Sequence, residues 1–232
     1  MALSIEINAE ILRELIASRG MIQRANNRIS YEEALEAVKQ IGKFCEPNFQ
    51  IDKANEFAYE CALRWCINDP QMKCVDLNGQ VIPADPQKGL YIYGNVGTGK
   101  SMLLDICRTF CKLYRISIKS AGAVYPLAWK TWRADDICDE VAGSGDLRPW
   151  KEEICLCIQD LGNEPQEVLY MGNRRRVLRS VLEARGDMFD RLTFISSNLR
   201  PDKLTEFYGP RVSSRINQMC NFIFLGGQDR RR

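Results

Sequence analysis

The sequence contains no histidine. Acid–base catalysis by imidazole, catalytic triads that include histidine and histidine metal ligands are therefore excluded. A large excess of either charge is also missing, because 32 lysine and arginine residues stand against 30 acidic residues and leave a formal net charge of +2. The overall charge thus gives no sign of a nucleic-acid-binding protein, and such a contact needs a local basic patch.

Long apolar runs are missing too. No run approaches the roughly 20 residues that a membrane-spanning helix needs, and no signal peptide is evident. We therefore expect a cytoplasmic protein without membrane contact, whose ten cysteines are reduced. Cys61, Cys66 and Cys74 are separated by four and then seven residues, which matches no usual zinc spacing. We expect no metal site there.

The length sets the number of domains. A chain of 232 residues has room for one α/β domain of about 150 to 200 residues and a small appendage. Apolar residues at helical spacing predict helices at 9–19 and 30–41, the second opened by a capping box. Two such helices cannot bury a core alone. We therefore expect residues 1–45 to form a helical extension that docks on the main domain or on a partner, and residues 46–232 to form the main domain.

Strand-like and helical segments alternate through the main domain. Short apolar runs predict strands, and longer segments with apolar residues every three or four positions predict helices. The predicted strands are 90–93, 128–133, 154–158, 192–197 and 222–225, and the predicted helices are 52–66, 100–114, one capped by Asp135, 173–185 and 211–219. Several strands are apolar throughout, which is typical of a parallel sheet covered by helices on both faces. The predicted fold class is α/β.

A glycine-rich loop follows the first of these strands. Residues 90–101 read LYIYGNVGTGKS, an apolar strand followed by the pattern of a P-loop. Glycines let the backbone approach a phosphate chain and adopt positive φ values, and the N-terminus of the next helix attracts the same phosphates. We predict that Lys100 binds the β and γ phosphates and that the Ser101 hydroxyl holds Mg²⁺. The predicted ATP-binding residues are Gly94, Asn95, Val96, Gly97, Thr98, Gly99, Lys100, Ser101 and Met102.

Polar residues follow two later strands. A P-loop needs an acid near its Mg²⁺, and Gln159 and Asp160 come directly after the apolar strand 154–158. The strand at 192–197 ends at Asn198, whose amide is suited to orient the attacking water or to sense the γ phosphate. Because the carboxyl ends of parallel strands face the ligand crevice, we predict that Asp160 holds Mg²⁺ and that Asn198 acts beside it. A helix or turn cap at Asp160 and an Asx turn at Asn198 are the structural alternatives.

In this order the motifs resemble those of an AAA+ ATPase, and more narrowly those of the bacterial helicase loaders of the DnaC type and their transposition-associated IstB relatives. The resemblance runs from about residue 85 to the C-terminus. It rests on GNVGTGKS as the Walker A motif, IQDLGNE as Walker B, SSN as sensor 1 and GPRVSSR as the arginine-finger box. It implies a P-loop fold of the AAA+ type without a C-terminal lid domain, and ATP with Mg²⁺ as the bound cofactors.

The resemblance also assigns roles to single residues. In the family, the arginine-finger box presents an arginine to the ATP of a neighbouring subunit, where it neutralises charge on the γ phosphate. Self-assembly is therefore implied, with Arg211 as the first candidate and Arg215 as the alternative. The loaders usually carry two acids after the Walker B strand, and Gln159 stands at the first position here. Either Asp160 binds the metal in its place or hydrolysis is slow. Glu164 is matched by an acid in the loaders and is a further candidate catalytic residue.

The function that the resemblance implies is ATP-dependent loading or regulation of a replicative DNA helicase. The cluster Arg174, Arg175, Arg176 and Arg179, and the terminal arginines at 230–232, suit contact with single-stranded DNA, and a solvated face is the alternative. A transposase helper ATPase and a nucleotide-dependent adaptor with weak hydrolysis remain open. A small-molecule kinase fits less well, because the chain has an SSN strand end and a finger box where kinases need an arginine-bearing lid and an acceptor pocket.

Overall fold

The computed structural model of the chain describes residues 22–25 and 28–230. The helix predicted at 9–19 lies outside the described residues, as do two of the three terminal arginines. The strands are β1 (Gln23–Arg24), β2 (Lys73–Val75), β3 (Val81–Pro83), β4 (Gly89–Tyr93), β5 (Ser117–Ser120), β6 (Ala123–Pro126), β7 (Lys130–Arg133), β8 (Cys155–Leu161), β9 (Val168–Tyr170), β10 (Asn173–Arg175), β11 (Leu192–Ser197) and β12 (Cys220–Phe224).

The α-helices of the described part lie between and before these strands. They are α1 (Tyr31–Cys45), α2 (Glu56–Cys66), α3 (Lys100–Leu113), α4 (Ala134–Ser144), α5 (Arg148–Glu152), α6 (Val177–Gly186), α7 (Leu204–Tyr208) and α8 (Pro210–Met219). A short 3₁₀ helix at Pro201–Lys203 leads into α7. Within the described part of the chain, no helix is both long enough and apolar enough to cross a membrane.

The predicted parallel sheet is confirmed. Seven strands form it in the order β3-β2-β12-β4-β11-β8-β7, and the five from β12 to β7 are parallel. The sequence did not predict β2 and β3, which add an antiparallel edge next to β12. Because all five parallel strands end on one side of the sheet, the residues that follow β4, β8 and β11 are brought together there.

Helices cover both faces of the sheet, as predicted. Successive side chains of a strand point to opposite faces, so Ile92 and Phe194 join one core with α1, α2 and α3. Their neighbours Tyr91 and Ile195 join the other core with α4, α6 and α8. Nine of the ten cysteines are buried and all ten are free thiols, and the described residues contain no group of three or more metal-ligating side chains.

The helix predicted at 30–41 begins as expected. The Ser30 hydroxyl accepts a hydrogen bond from the backbone N–H of Glu33 at 3.1 Å, which satisfies one of the free donors of the first turn. The helix continues past residue 41 to Cys45. Gly42 leaves room for the Phe49 ring, because a Cβ at position 42 would lie 2.2 Å from the Phe49 Cδ1 atom. Helix α1 packs on α2 and α3. The division of the chain at residue 45 stays a prediction.

Two further helix predictions were wrong in part. Residues 173–175, predicted as the start of a helix, form β10 of a hairpin with β9, and α6 begins only at Val177. These residues are extended because they pair with β9, and a search for helical periodicity cannot detect pairing between strands. Asp135 does not cap α4: the cap position is Arg133, and Asp135 lies in the first turn and binds the Arg133 guanidinium.

Candidate nucleotide-binding site

The P-loop connects the carboxyl end of β4 to the N-terminus of α3. Gly97 and Gly99 have φ values of 78° and 97°, a region that side chains with a Cβ disfavour. The Thr98 hydroxyl donates a hydrogen bond to the Asn95 carbonyl at 2.9 Å and fixes the loop. Asn95 and Val96 are exposed, whereas Ser101 and Met102 are half-buried in the first turn of α3. The nine predicted ATP-binding residues therefore form one continuous loop and helix start.

Lys100 is bonded across the loop to a second strand. Its side chain is buried, and Nζ donates hydrogen bonds to the Gly94 carbonyl at 3.0 Å and to the Asn95 carbonyl at 2.7 Å. It also donates to Oδ1 of Asn198 at 2.7 Å. Because β11 is the neighbour of β4 in the sheet, Asn198 reaches the P-loop directly. The structure thus brings together Lys100 and Asn198, which are 98 positions apart in the sequence.

The end of β8 is irregular at the acidic residue. Ile158 of β8 pairs with Ile195 of β11, and the next pair is Leu161 with Ser197. Two residues therefore lie between the paired positions on β8, and one lies between them on β11. Strand β8 thus carries one extra residue, a β-bulge, and Asp160 takes a φ of 55°. The Asp160 N–H donates to the Ser196 hydroxyl at 3.2 Å. A bulge changes the direction in which a side chain points, so alternation along the strand does not determine where this carboxylate lies.

The Asp160 carboxylate pairs with an arginine that the sequence reasoning missed. Nη1 of Arg133 donates to Asp160 Oδ2 at 3.2 Å, and its Nε and Nη2 donate to both oxygens of Asp135 at 3.0 Å. Arg133 ends β7, on the side of β8 away from β4. The carboxylate is therefore held toward β7 rather than toward the P-loop. The rule that strand ends face the crevice, applied to the strand predicted at 128–133, would have indicated Arg133.

Glu164 is buried and bonded within the protein. One oxygen accepts from the Gly162 N–H at 2.7 Å, and the other accepts a short hydrogen bond from the Tyr208 hydroxyl. Burial and the charge of Glu164 raise the pKa of Tyr208, so the hydroxyl stays protonated and donates. Glu164 thus joins the loop after β8 to the end of α7. No sequence signal pointed to Tyr208.

The two candidate finger arginines differ in their surroundings. Arg211 is exposed in the first turn of α8 and has no hydrogen bond or ion pair with any residue that the structure describes. Arg215, one turn later, donates to Asp187 in a short ion pair and to Gln218 at 3.0 Å, and its Cβ packs on Gly186. The structure therefore leaves Arg211 available for another molecule and uses Arg215 inside the subunit.

The basic cluster lies on the hairpin and the start of α6. Arg174 and Arg176 share Glu167, and Arg175 stacks on Tyr170 and donates to the Gly145 carbonyl at 2.8 Å. Arg179 pairs with Glu183. At the tip of the hairpin Leu169 and Met171 are 65% and 82% exposed. The four predicted arginines thus form one surface, with part of their charge balanced by acids.

The residues fit an ATP·Mg²⁺ complex in part. The P-loop supplies backbone donors, a lysine and a helix N-terminus for phosphate. For the metal, Ser101 and Asp160 offer hard oxygen ligands, but Gln159 is neutral and Asp160 already has a cationic partner.

The overall architecture is shared with known structures. The crystal structure of DnaI superposes with a TM-score of 0.51 at 18% identity, and the match covers 75% of this chain and 88% of DnaI. The match shows a likeness of fold, and the fold of this chain is mixed α/β around a largely parallel seven-stranded sheet. The DnaC helicase loader matches with a TM-score of 0.43 and 18% identity over 60% of this chain and 78% of DnaC. The replication initiator DnaA bound to AMPPCP and single-stranded DNA matches with a TM-score of 0.48 and 17% identity over 78% of this chain and 49% of DnaA.

No protein-family model and no curated protein matches the sequence. At 18% identity, the match to DnaI shows a likeness of fold alone. The roles of single residues therefore rest on the geometry described above and on the motifs.

Proposed function

We propose that the protein is an ATP-binding ATPase of the AAA+ type that assembles with itself and loads or regulates a replicative DNA helicase. The observation that carries the nucleotide part is the bond from Lys100 to Asn198. In this bond the lysine of the glycine-rich loop meets the polar end of β11, and Nζ also donates to the Gly94 and Asn95 carbonyls. A phosphate chain entering the loop would offer the ammonium group charged acceptors, which form stronger hydrogen bonds.

The chemistry that fits this arrangement is attack of water on the γ phosphate. Backbone N–H groups of residues 94–101 and the Lys100 ammonium bind the phosphates and stabilise charge. Asn198, beside Lys100, is the residue proposed to orient the water or to sense the γ phosphate through its amide. Bound Mg²⁺ would neutralise the phosphate charge, and Ser101 and Asp160 are the residues proposed to hold it.

The proposal of self-assembly rests on the surroundings of Arg211. An exposed arginine without a partner among the described residues can turn to a phosphate of another subunit without breaking an ion pair, and it can form bidentate hydrogen bonds there. Arg211 meets this description and Arg215 does not. We therefore propose Arg211 as the residue that acts on ATP bound by a neighbouring subunit.

The helicase and DNA partners are proposed from the motif resemblance and from two surfaces. Helix α1 packs on α2 and α3 yet leaves Phe44 fully exposed near its end, as a partner-binding element would. The hairpin of β9 and β10 presents apolar Leu169 and Met171 beside arginines, a combination suited to single-stranded nucleic acid.

A weakly hydrolysing adaptor is the second candidate. Gln159 is neutral where an acid is expected, and Asp160 is bonded to Arg133 on the far side of β8. Both observations favour tight nucleotide binding with slow turnover. Measured hydrolysis that stays near background in the assembled protein, with ATP bound, would select this candidate over an active ATPase.

The test of the nucleotide site is the variant Lys100→Ala, with Lys112→Ala as its control. Lys112 is exposed on the same helix, so its loss removes the same charge without touching the loop. We expect Lys100→Ala to lose binding of a fluorescent ATP analogue and Lys112→Ala to keep it, while circular dichroism shows both folded. A folded Lys100→Ala protein with unchanged affinity would overturn the P-loop assignment.

A further inference from the structure

A corner between two helices lies directly before the candidate finger Arg211. Tyr208 ends α7, Gly209 follows with a φ of 85°, and Pro210 opens α8. A glycine at positive φ gives the backbone more conformational freedom than other residues have. The direction in which α8 begins is therefore not set by the backbone alone, and side-chain contacts at the corner are needed to fix it.

Packing holds the body of α8. The side chains of Val212 and Ile216 are buried in the core that α8 shares with α4 and α6, and Arg215 pairs with Asp187. Arg211 is exposed in the first turn. These contacts fix the body of the helix, whereas the placement of its first turn also depends on the corner that precedes it.

The Tyr208 hydroxyl makes a buried polar contact at this corner. Tyr208 is 5% exposed and donates a short hydrogen bond to Oε1 of Glu164, which is 6% exposed. The second carboxylate oxygen, Oε2, accepts from the Gly162 N–H at 2.7 Å. A buried carboxylate that loses a donor keeps the cost of its lost solvation, so this arrangement tolerates little displacement of the Tyr208 ring.

The loop that carries Glu164 begins at Asp160. The Asn163 N–H donates to the Asp160 carbonyl at 3.1 Å and closes a turn there. The Ser197 hydroxyl donates to the Leu161 carbonyl at 2.5 Å, which ties the same turn to the end of β11. The Tyr208 bond therefore joins the start of α8 to a turn that is itself fixed to the sheet.

We propose that Tyr208 is a positioning residue for the arginine finger. Its bond to Glu164 holds the first turn of α8 in the direction from which Arg211 reaches the nucleotide of a neighbouring subunit. In this role Tyr208 acts through the start of the helix and contacts no nucleotide. The inference rests on the proposed finger at Arg211 and adds a residue that decides how well the finger works.

The test places Tyr208→Phe in one kind of subunit at a time. In a mixture, Lys100→Ala subunits supply the finger and Arg211→Ala subunits supply the P-loop. Tyr208→Phe in the finger-supplying subunit should lower the ATPase activity of the mixture about tenfold, because a small misplacement of a group that acts in the transition state is costly. Tyr208→Phe in the Arg211→Ala subunit should cause no such loss, because that subunit supplies no finger.

A matched control and a second variant accompany this test. Tyr125→Phe in the finger-supplying subunit is the control, since Tyr125 packs against the core on the other face of the sheet, and the activity should stay unchanged. The double variant Glu164→Met/Tyr208→Phe replaces both partners of the bond with apolar groups, a change that can be nearly neutral for stability. In the finger-supplying subunit it should cause the same loss as Tyr208→Phe. Circular dichroism checks the fold, and light scattering checks co-assembly.

The outcomes separate the positioning role from the finger itself. Equal losses for Tyr208→Phe in either kind of subunit would mean that Tyr208 serves the fold or its own site, and would overturn the positioning role. Full activity with the double variant as finger supplier would overturn it too. An inactive mixture of Lys100→Ala and Arg211→Ala subunits that demonstrably co-assemble would instead overturn the proposed finger, and the role of Tyr208 with it.

Discussion

The two sides of the candidate site differ in how their charged groups are partnered. On the phosphate side, Lys100 donates to two backbone carbonyls and to the Asn198 amide oxygen, which hold its ammonium group at the loop. On the metal side, the Asp160 carboxylate is paired with Arg133. A cation at the second side has to compete with the Arg133 guanidinium for Asp160. This difference is the reason for proposing nucleotide binding with slow metal-dependent turnover as the second candidate function.

The largest effect is expected at Arg211, which is proposed to reach the site only from a neighbouring subunit of an assembly. Arg211→Ala should lower ATPase activity roughly 10³-fold, because a finger stabilises charge on the γ phosphate in the transition state. Arg215→Ala is the matched control one turn away. Activity of the parent protein should also rise with its concentration as subunits meet.

Mixing two inactive variants distinguishes an arginine finger that acts on a neighbouring subunit from one that acts within its own subunit. Arg211→Ala keeps the P-loop and Lys100→Ala keeps the finger, so each is inactive alone and the mixture should regain part of the activity. A mixture that demonstrably co-assembles and stays inactive would show that Arg211 serves its own subunit or only the fold.

The metal side itself is tested at its two strand-end residues. Asp160→Asn should lower Mg²⁺-dependent turnover about 10²-fold, in the range found for loss of one group that stabilises transition-state charge. Gln159→Asp should raise turnover by supplying the missing acid. Steady-state ATPase assays across a Mg²⁺ series check both. If Gln159→Asp changes nothing while Asp160→Asn is inactive, Asp160 alone serves the metal.

The connection between the loop after β8 and the end of α7 is tested by Tyr208→Phe. This variant deprives the buried Glu164 carboxylate of a hydrogen bond, which should lower the free energy of unfolding by about 1.5 to 3 kcal/mol. Tyr125→Phe, at a half-buried tyrosine on β6, is the control and should lie close to the parent. Denaturant titration measures both. An unchanged stability with a large loss of turnover would instead assign Glu164 a catalytic role.

The smallest effect is expected from releasing the Arg133 pair. Arg133→Gln frees Asp160, and since partly exposed ion pairs contribute at most about 1 kcal/mol, the Mg²⁺ concentration for half-maximal nucleotide binding or turnover should fall about threefold to fivefold. Arg148→Gln, which breaks the remote pair with Asp146, is the control. A higher Mg²⁺ requirement in Arg133→Gln would mean that Arg133 holds Asp160 in position for the metal instead of competing with it.

Local patterns in the sequence were sufficient for the sheet and for the phosphate side. The parallel strands were predicted within a few residues because most of them are short apolar runs bounded by turn residues, which favour the centre of a covered sheet. The P-loop was predicted because glycine spacing, the lysine and the helix start are all local. The contact of Asn198 with this loop follows from the order of parallel strands, a rule that holds across such folds.

The remaining features depend on contacts between residues far apart in the sequence. The hairpin of β9 and β10 has little apolar periodicity, and pairing decided its structure. Alternation cannot indicate the direction of Asp160, because a bulge changes it and Arg133 binds it from another strand. Arg211 and Arg215 look alike in the sequence, and the contacts of Arg215 with Asp187, Gly186 and Gln218 distinguish them. The sequence by itself determined the fold class and the phosphate loop, since these need only local spacing. Tertiary structure alone decided that Asp160 pairs with Arg133 and Asp187 with Arg215, because folding brings these residues together from distant positions in the sequence.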